Sequence, residues 1–402
     1  MKKILAILMI LVAAAALNGC EENDLSVYQS NLQDLVAQEW AKYSAGKENW
    51  GGGIALRILS PKGDFFVSTG MGDNVTENIH FRGASTTKTF AAASIMLLQQ
   101  RGLLDIDDKI TDLIPGSTEA YCTYDIPYKD QISIRQLLQH RAGVFDISNN
   151  DIPATASAPY AGKNYIEYVE EDLGQPDHTF TIDEQVGVVA DNGLYFTPPG
   201  TKFHYSDTGY SILGKIIERV SGQRFDLFVK DNFITPNGLA QTTFPRLGAD
   251  QTLPAPFAKG YLWYQKKSTL TTLENPSPHV AEGNVVSTPA DLAKWAKLLI
   301  NGKSGLEKKY VRMMMEYLPT GEHHKYYGLG CNYTPGLGYG HNGGCVGYMT
   351  VMRHDPQQNV TILMFASVLN ADDLVGQGDF MYDLGYAAKE LLGYSTAEAG
   401  GR

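Results

Sequence analysis

Strand-like runs cluster at the two ends of this chain, and that placement restricts the fold more than any other feature. Near the start, residues 52–60 and 64–70 are joined at Pro61-Lys62-Gly63, a turn sequence between two runs of strand-forming residues. Near the end, residues 348–354 and 360–367 are joined at Asp355-Pro356. The stretch between them carries helical spacing instead. Residues 133–140 begin with Ser133 as an N-cap, and 206–220 places Tyr210, Leu213, Ile216, Ile217 and Val220 on one face before a Ser221-Gly222 stop. A third helix, 292–300, is opened by Thr288-Pro289-Ala290-Asp291 and closed by Asn301-Gly302. Further helices are expected over 24–43, over 110–115 and near 381–392. The order of strands, helices, strands and a closing helix predicts an α+β fold: an antiparallel sheet flanked by helices, built from both chain ends, with a helical domain inserted. The expected boundaries are 20–84 plus 275–395 for the sheet domain and 85–274 for the mainly helical one. Within the latter, 149–195 is an insertion whose Tyr160, Tyr165, Tyr168 and Phe180 either wall a cleft or pack locally. A flexible tail is expected at 396–402.

The first residues carry an address. Lys2-Lys3 precede fourteen apolar residues, 4–17, the charged start and short greasy core of a secretory signal over 1–19. The run is short for a membrane span. Leu17-Asn18-Gly19-Cys20 resembles a bacterial lipobox, which implies acylation of Cys20 and a lipoprotein anchored in the envelope, facing the periplasm or the cell surface. A net charge of −11 without basic runs argues against nucleic acid as a partner. Beyond Cys20 only Cys122, Cys331 and Cys345 remain, too few for a disulfide framework. Cys331 and Cys345 pair if they fall on neighbouring strands and otherwise lie unpaired in the core. No histidine or cysteine spacing suits a metal, and neither metal nor cofactor is expected.

Ser85-Thr86-Thr87-Lys88 stands directly before the apolar run 90–98. Three apart on a helix, Ser85 and Lys88 share one face. In the first turn the serine would meet free N–H groups and a dipole that favours developing negative charge. Lys88, if kept neutral, could take the hydroxyl proton. The spacing alone is weak, because Ser44-Ala45-Gly46-Lys47 repeats it in a polar stretch with no apolar run behind it.

Two later segments supply what such a pair needs. Pro198-Pro199-Gly200 turns the chain into Tyr205-Ser206-Asp207, just before a helix, where a tyrosine can project into a cleft and shuttle a proton. Gly338-Tyr339-Gly340-His341-Asn342-Gly343-Gly344 is a glycine-rich strand edge whose backbone N–H groups a substrate can approach closely. In this order the three segments resemble the serine β-lactamase-related family of penicillin-recognising hydrolases: S-x-x-K, then Y-x-N, then K-T-G or H-x-G. That family includes class C β-lactamases, D-alanyl-D-alanine carboxypeptidases and several esterases. Leu137-Leu138-Gln139-His140-Arg141-Ala142-Gly143, residues 209–214 and residues 283–292 also resemble family segments.

The resemblance implies a serine β-lactamase/penicillin-binding-protein-like fold with the cleft at the junction of its two domains. It makes Ser85 the acylated nucleophile, Lys88 its base partner, and Tyr205 the residue that passes the proton to the leaving group. His341 would orient a substrate carboxylate or the Tyr205 hydroxyl. Gly344, with Gly343 and Asn342 beside it, would contact substrate, and the N–H groups of Ser85 and Gly344 would form the oxyanion hole. Two positions depart from the pattern. Asp207 replaces asparagine, and it either faces substrate or pairs with Lys88 and keeps it charged. His341 replaces lysine and offers less fixed positive charge. The expected activity is an acyl-enzyme hydrolase of the carboxypeptidase or esterase kind, acting on a small peptide, ester or β-lactam-like substrate. A β-lactamase and a catalytically weak penicillin-recognising binding lipoprotein are the alternatives.

Overall fold

The computed structural model describes residues 25–321 and 325–397; the expected signal segment and Cys20 lie outside them, as does most of the expected tail. Thirteen strands occur among the described residues: β1 Ile54–Ser60, β2 Gly63–Thr69, β3 Phe81–Ala84, β4 Tyr261–Tyr264, β5 Lys267–Leu270, β6 Val285–Ser287, β7 Leu318–Pro319, β8 Tyr326–Tyr327, β9 Asn332–Thr334, β10 Gly338–Cys345, β11 Tyr348–Asp355, β12 Val360–Ala366 and β13 Val368–Asn370. The main sheet runs β2-β1-β12-β11-β10-β9-β8-β7 and every neighbouring pair in it is antiparallel. Strands from both chain ends therefore meet at β1 and β12, with Ile54 opposite Ala366 and Ile58 opposite Ile362.

Alternation along β1 and β12 divides the core in two. Ile54, Leu56, Ile58, Ile362 and Met364 face Leu32, Val36 and Trp40 of the helix 25–44 and Met381 and Leu384 of the helix Leu374–Leu391. The intervening Ala55, Leu363 and Phe365 face the other way, toward the helix Thr87–Gln100 and the helix Pro289–Ile300. Period-two burial on both sides is what a sheet covered by helices on each face requires. The helix Thr87–Gln100 is buried from Thr87 through Leu98, as suits a helix apolar all round. Trp295 stacks on its Phe90 at 4.1 Å, and the indole N–H donates to Thr89 Oγ1 at 2.9 Å. That helix is clamped against the sheet rather than laid on it.

Several boundaries differ from expectation. Residues 110–115 are not helical; Ile114 N–H donates to Glu119 O at 2.9 Å and Leu113 bridges Ala120, because Pro115 has no N–H and Gly116 turns the chain with a φ of +76°. Within the stretch assigned to the helical domain, β4 and β5 form a hairpin whose β4 pairs parallel with β13, so residues 261–270 sit with the C-terminal strands. One continuous apolar cluster joins Ala55 and Phe365 to Phe90 and Ile212, so the helical part shares its core with the sheet. In the insertion, Tyr160 packs on Tyr165 and Tyr168, and Tyr165 on Phe180. These rings pack on one another.

Candidate active site

Ser85 stands in the turn between β3 and the helix Thr87–Gln100, two residues ahead of the first helical residue rather than within the first turn. The turn is strained and then tied down. Ala84 has a φ of +47°, a left-handed conformation rare for a residue with a Cβ, at the point where β3 bulges against β6. Thr86 Oγ1 donates to Gly83 O at 2.9 Å, and Thr87 Oγ1 donates to Ala84 O at 2.8 Å while accepting from Val285 N–H at 2.9 Å. The two threonines between Ser85 and Lys88 thus hold the turn in its strained form.

Lys88 is fully buried and hydrogen-bonded to Ser85 Oγ at 3.1 Å. It also donates to Glu282 O at 2.8 Å, and its Nζ lies 2.5 Å from Asp207 Oδ1 and 3.5 Å from Glu282 Oε2. Burial alone would pull the ammonium down, but Asp207, Tyr205 and Glu282 together hold it well above its ordinary value. Of the two settings expected for Asp207, the pairing that keeps Lys88 charged is the one present. The Asp207 carboxylate pairs with Lys88 instead of facing outward. Burial works against that carboxylate, yet Lys88 keeps it below the usual range.

Asp207 opens the helix Asp207–Ser221, whose N-cap Ser206 accepts from Gly209 N–H at 3.2 Å. Its second oxygen accepts from Asn149 Nδ2 at 2.7 Å, and the same amide nitrogen donates to Asp146 Oδ2 at 3.0 Å. Burial and the Asp207 charge push the Asp146 carboxyl up to about 7. On the other side, His279 Nδ1 donates to Glu282 Oε1 at 2.6 Å, and although burial lowers it, Glu282 and Glu274 raise it to about 9. Ala281, just before Glu282, is left-handed with a φ of +70°.

Tyr205 lies beside this cluster, with Lys88 Nζ 4.9 Å from its ring centre. Burial raises its hydroxyl despite Lys88 and Ser85, both of which favour the anion, so it is a neutral phenol. His140 stacks on Tyr205 at 4.1 Å. His341 does not reach Tyr205; its Nε2 bonds Tyr327 Oη at 2.8 Å, and its ring centre is 6.4 Å from that of Tyr205. Burial and Lys88 drive His341 down to about 3, so it is a neutral imidazole.

The tautomers follow from the partners. His341 Nδ1 faces Asn342 O at 2.5 Å and must donate, so Nε2 accepts from the Tyr327 hydroxyl. Tyr327 Oη then accepts from His140 Nε2 at 3.1 Å, and His140 Nδ1 accepts from Ser206 N–H at 3.1 Å. One directed chain of hydrogen bonds runs from β10 through β8 to the backbone beside Tyr205.

β10 is flanked by β9 only over Gly338–Gly340, so its second half is the free edge that the glycines suggested. A Cβ on Gly343 would meet Gly83 O at 2.2 Å, and the absence of one lets β10 close against the turn of Ser85. Gly344 is exposed. Asn342, expected at the substrate, points to the opposite face, where it donates to Tyr382 Oη at 2.6 Å and accepts from Arg353 at 2.7 Å. Strand alternation places it there. Cys331 and Cys345 are free thiols. Asp146, Asn149, His279, Glu282 and Tyr327 escaped the sequence reading. For His279 and Glu282 a signal existed: an i,i+3 pair preceded by prolines at 276 and 278.

A serine on a strained turn, a buried lysine, a tyrosine from the loop before a helix and a glycine-rich strand edge belong to a serine hydrolase of the penicillin-recognising fold. Residues 53–382 match the family model described as Beta-lactamase, and the chain belongs to that family. It is 25% identical over 322 residues to penicillin-binding protein 4 of Amycolatopsis lactamdurans, covering 74% of each chain. It is 26% identical over 295 residues to penicillin-binding protein 4* of Bacillus subtilis (strain 168), covering 68% of this chain and 58% of that one. Among solved structures it is similar to a D-stereospecific amidohydrolase from Streptomyces sp., with a TM-score of 0.73, 23% identity, and coverage of 90% of this chain and 98% of that one. The D-amino acid amidase from Ochrobactrum anthropi SV3 complexed with L-phenylalanine amide gives a TM-score of 0.71 at 23% identity, covering 90% and 99%. These two likenesses establish the fold.

Proposed function

We propose that this protein is an envelope-anchored hydrolase that forms an acyl-enzyme on Ser85 and cleaves small esters and amides whose leaving group carries no carboxylate. The observation that carries the reading is the 3.1 Å contact between Ser85 Oγ and the buried Lys88 on a strained turn beside Tyr205. Ser85 attacks the carbonyl carbon. The N–H groups of Ser85 and Gly344 receive the oxyanion, each worth about 3 kcal/mol of transition-state stabilisation. Tyr205 hands a proton to the leaving group and then orients the water that releases the acyl group. Gly343 has no contact with substrate in this reading; its part is the close packing that brings Gly344 to Ser85.

Charge supports the choice of substrate. A D-alanyl-D-alanine carboxypeptidase or a β-lactamase acts on a substrate that carries a free carboxylate. Here His341 is neutral and bonded to Tyr327, and Lys88 is neutralised by Asp207. A neutral ester or a D-amino acid amide fits such a cleft better. The structural likeness to two D-selective amidohydrolases is compatible with that class.

The test is a substrate panel with the Ser85→Ala rate subtracted: p-nitrophenyl acetate, D-alanine amide, acetyl-D-Ala-D-Ala and nitrocefin. We expect kcat/KM at least about tenfold higher for the ester and amide than for either carboxylate substrate. The reverse order would assign the protein to carboxypeptidase or β-lactamase activity. Failure of Ser85 to label with a fluorophosphonate would favour a binding lipoprotein, the reading to which the Lys88–Asp207 pair also lends weight. For the anchor, Cys20→Ala is expected to abolish palmitate incorporation and release the protein from membranes.

A further inference from the structure

Lys88 donates in every direction that its surroundings occupy. Its acceptors are Ser85 Oγ at 3.1 Å, Glu282 O at 2.8 Å, Asp207 Oδ1 at 2.5 Å and, farthest, Glu282 Oε2 at 3.5 Å. An ammonium whose three N–H groups are all engaged has no lone pair with which to take the Ser85 proton. We propose that Asp207 is the terminal acceptor of the Ser85 hydroxyl proton, with Lys88 as a conduit that is charged both before and after the transfer. The proposal rests on Ser85 being the nucleophile.

The transfer balances. Lys88 gives the proton on its Asp207 side to Oδ1, and threefold rotation about its Cε–Nζ bond turns the freed lone pair toward Ser85. As Ser85 Oγ forms its bond to the carbonyl carbon, its proton passes to Nζ, and the carbonyl π pair moves to the oxygen. When the oxyanion collapses, the bond to the leaving oxygen or nitrogen breaks. That atom takes a proton through Tyr205, which is refilled from Lys88, and Asp207 returns its proton to Lys88. Water repeats the sequence in place of Ser85 to free the acid.

Lys88 holds the Asp207 carboxyl below the usual range, and a second buried carboxylate opposes that pull. Asn149 Nδ2 ties Asp207 Oδ2 to Asp146 Oδ2 at 2.7 and 3.0 Å, so one amide bridges two buried carboxylates. Like charges this close make the pair take up a proton more readily than either group alone. Burial raises the Asp146 carboxyl, and the Asp207 charge beside it adds to the rise. The other groups facing the pair are Lys88 from its helix, Tyr205 from the preceding loop, His279 and Glu282 from the segment before β6, and His341 from β10. His279 is a second cation, held by Glu282, and keeps that carboxylate from competing for the proton. An asparagine at position 207 could bond Lys88 but could not accept its proton.

The experiment is the pH dependence of kcat/KM for p-nitrophenyl acetate from pH 5 to 10, with the Ser85→Ala rate subtracted. With Asp207 as acceptor, the wild-type profile is level between about pH 6 and 9, because the carboxylate is already ionised. Asp207→Asn, with its melting temperature recorded as a check of folding, leaves only neutral Lys88 as base. Its rate at pH 7 is expected to fall about 100-fold and to climb roughly tenfold per pH unit as the lysine loses its proton. A wild-type profile with that same climb, or an Asp207→Asn protein faster than wild type at pH 7, would overturn the proposal. The wild-type profile alone decides if the variant does not fold. Fluorophosphonate labelling of wild-type Ser85 in the same preparation separates this outcome from failure of the serine-hydrolase reading, which would leave Ser85 unlabelled.

Discussion

Ser44-Ala45-Gly46-Lys47 and Ser85-Thr86-Thr87-Lys88 have the same spacing and share one backbone hydrogen bond. In each, the lysine N–H donates to the serine carbonyl, at 3.1 and 3.0 Å. Yet Ser44 ends the helix 25–44, whereas Ser85 precedes the helix Thr87–Gln100. A helix C-terminus disfavours the anion that an N-terminus stabilises. Ser44 Oγ donates back to Trp40 O at 2.7 Å, which uses its proton within the helix. Lys47 donates to Tyr43 O and lies over the rings of Tyr43 and Trp50 at 4.2 and 5.0 Å. Lys88 instead meets two carboxylates and the serine itself. Reactivity here is set by which end of a helix the pair occupies and what crosses over from other segments.

The largest effect that sharpens this contrast is on turnover. Ser85→Ala is expected to lower kcat/KM by about 10⁴-fold or more, and Ser44→Ala to leave it unchanged, both read with p-nitrophenyl acetate. Next comes stability in urea. Lys88→Ala leaves Asp207 buried without its cation, with Glu282 keeping only His279, and should cost about 3–5 kcal/mol. Lys47→Ala loses ring contacts and one half-buried hydrogen bond to Tyr43 O, and should cost less than about 1 kcal/mol. Tyr327→Phe removes the hydroxyl that links His341 to His140, leaving buried ring nitrogens unpaired, at about 1–3 kcal/mol. The smallest effect is pH-dependent. His279 is raised in the folded protein, so its contribution is complete below about pH 6.5 and fades as pH rises through about 9. The melting temperature should fall over that interval, and less so in His279→Gln.

Much of the fold was legible because its signals are local. The turn at Pro61-Lys62-Gly63, the caps at Ser133, Ser206 and Thr288, and the two-sided apolar runs of β1 and β12 each act over a few residues. Ser85, Lys88, Tyr205 and the His341–Gly344 edge come together in the structure, although they are brought from three separate segments. What stayed hidden depends on contacts across the chain. Nothing near Lys88 in sequence announces Glu282, 194 residues away, or shows that Asp207 points inward. Tyr327 sits on a two-residue strand with no pattern of its own, and its role exists only because His140 and His341 converge on it. Asn342 was misplaced by reading the glycine-rich run as one surface when strand alternation gives it two.

The central claim is that Ser85, and not its twin at Ser44, carries the acyl group. Peptide mapping after labelling with a fluorophosphonate tests it directly. The account predicts a single adduct on Ser85 that disappears in Ser85→Ala. An adduct on Ser44, or labelling that persists in Ser85→Ala, would contradict it.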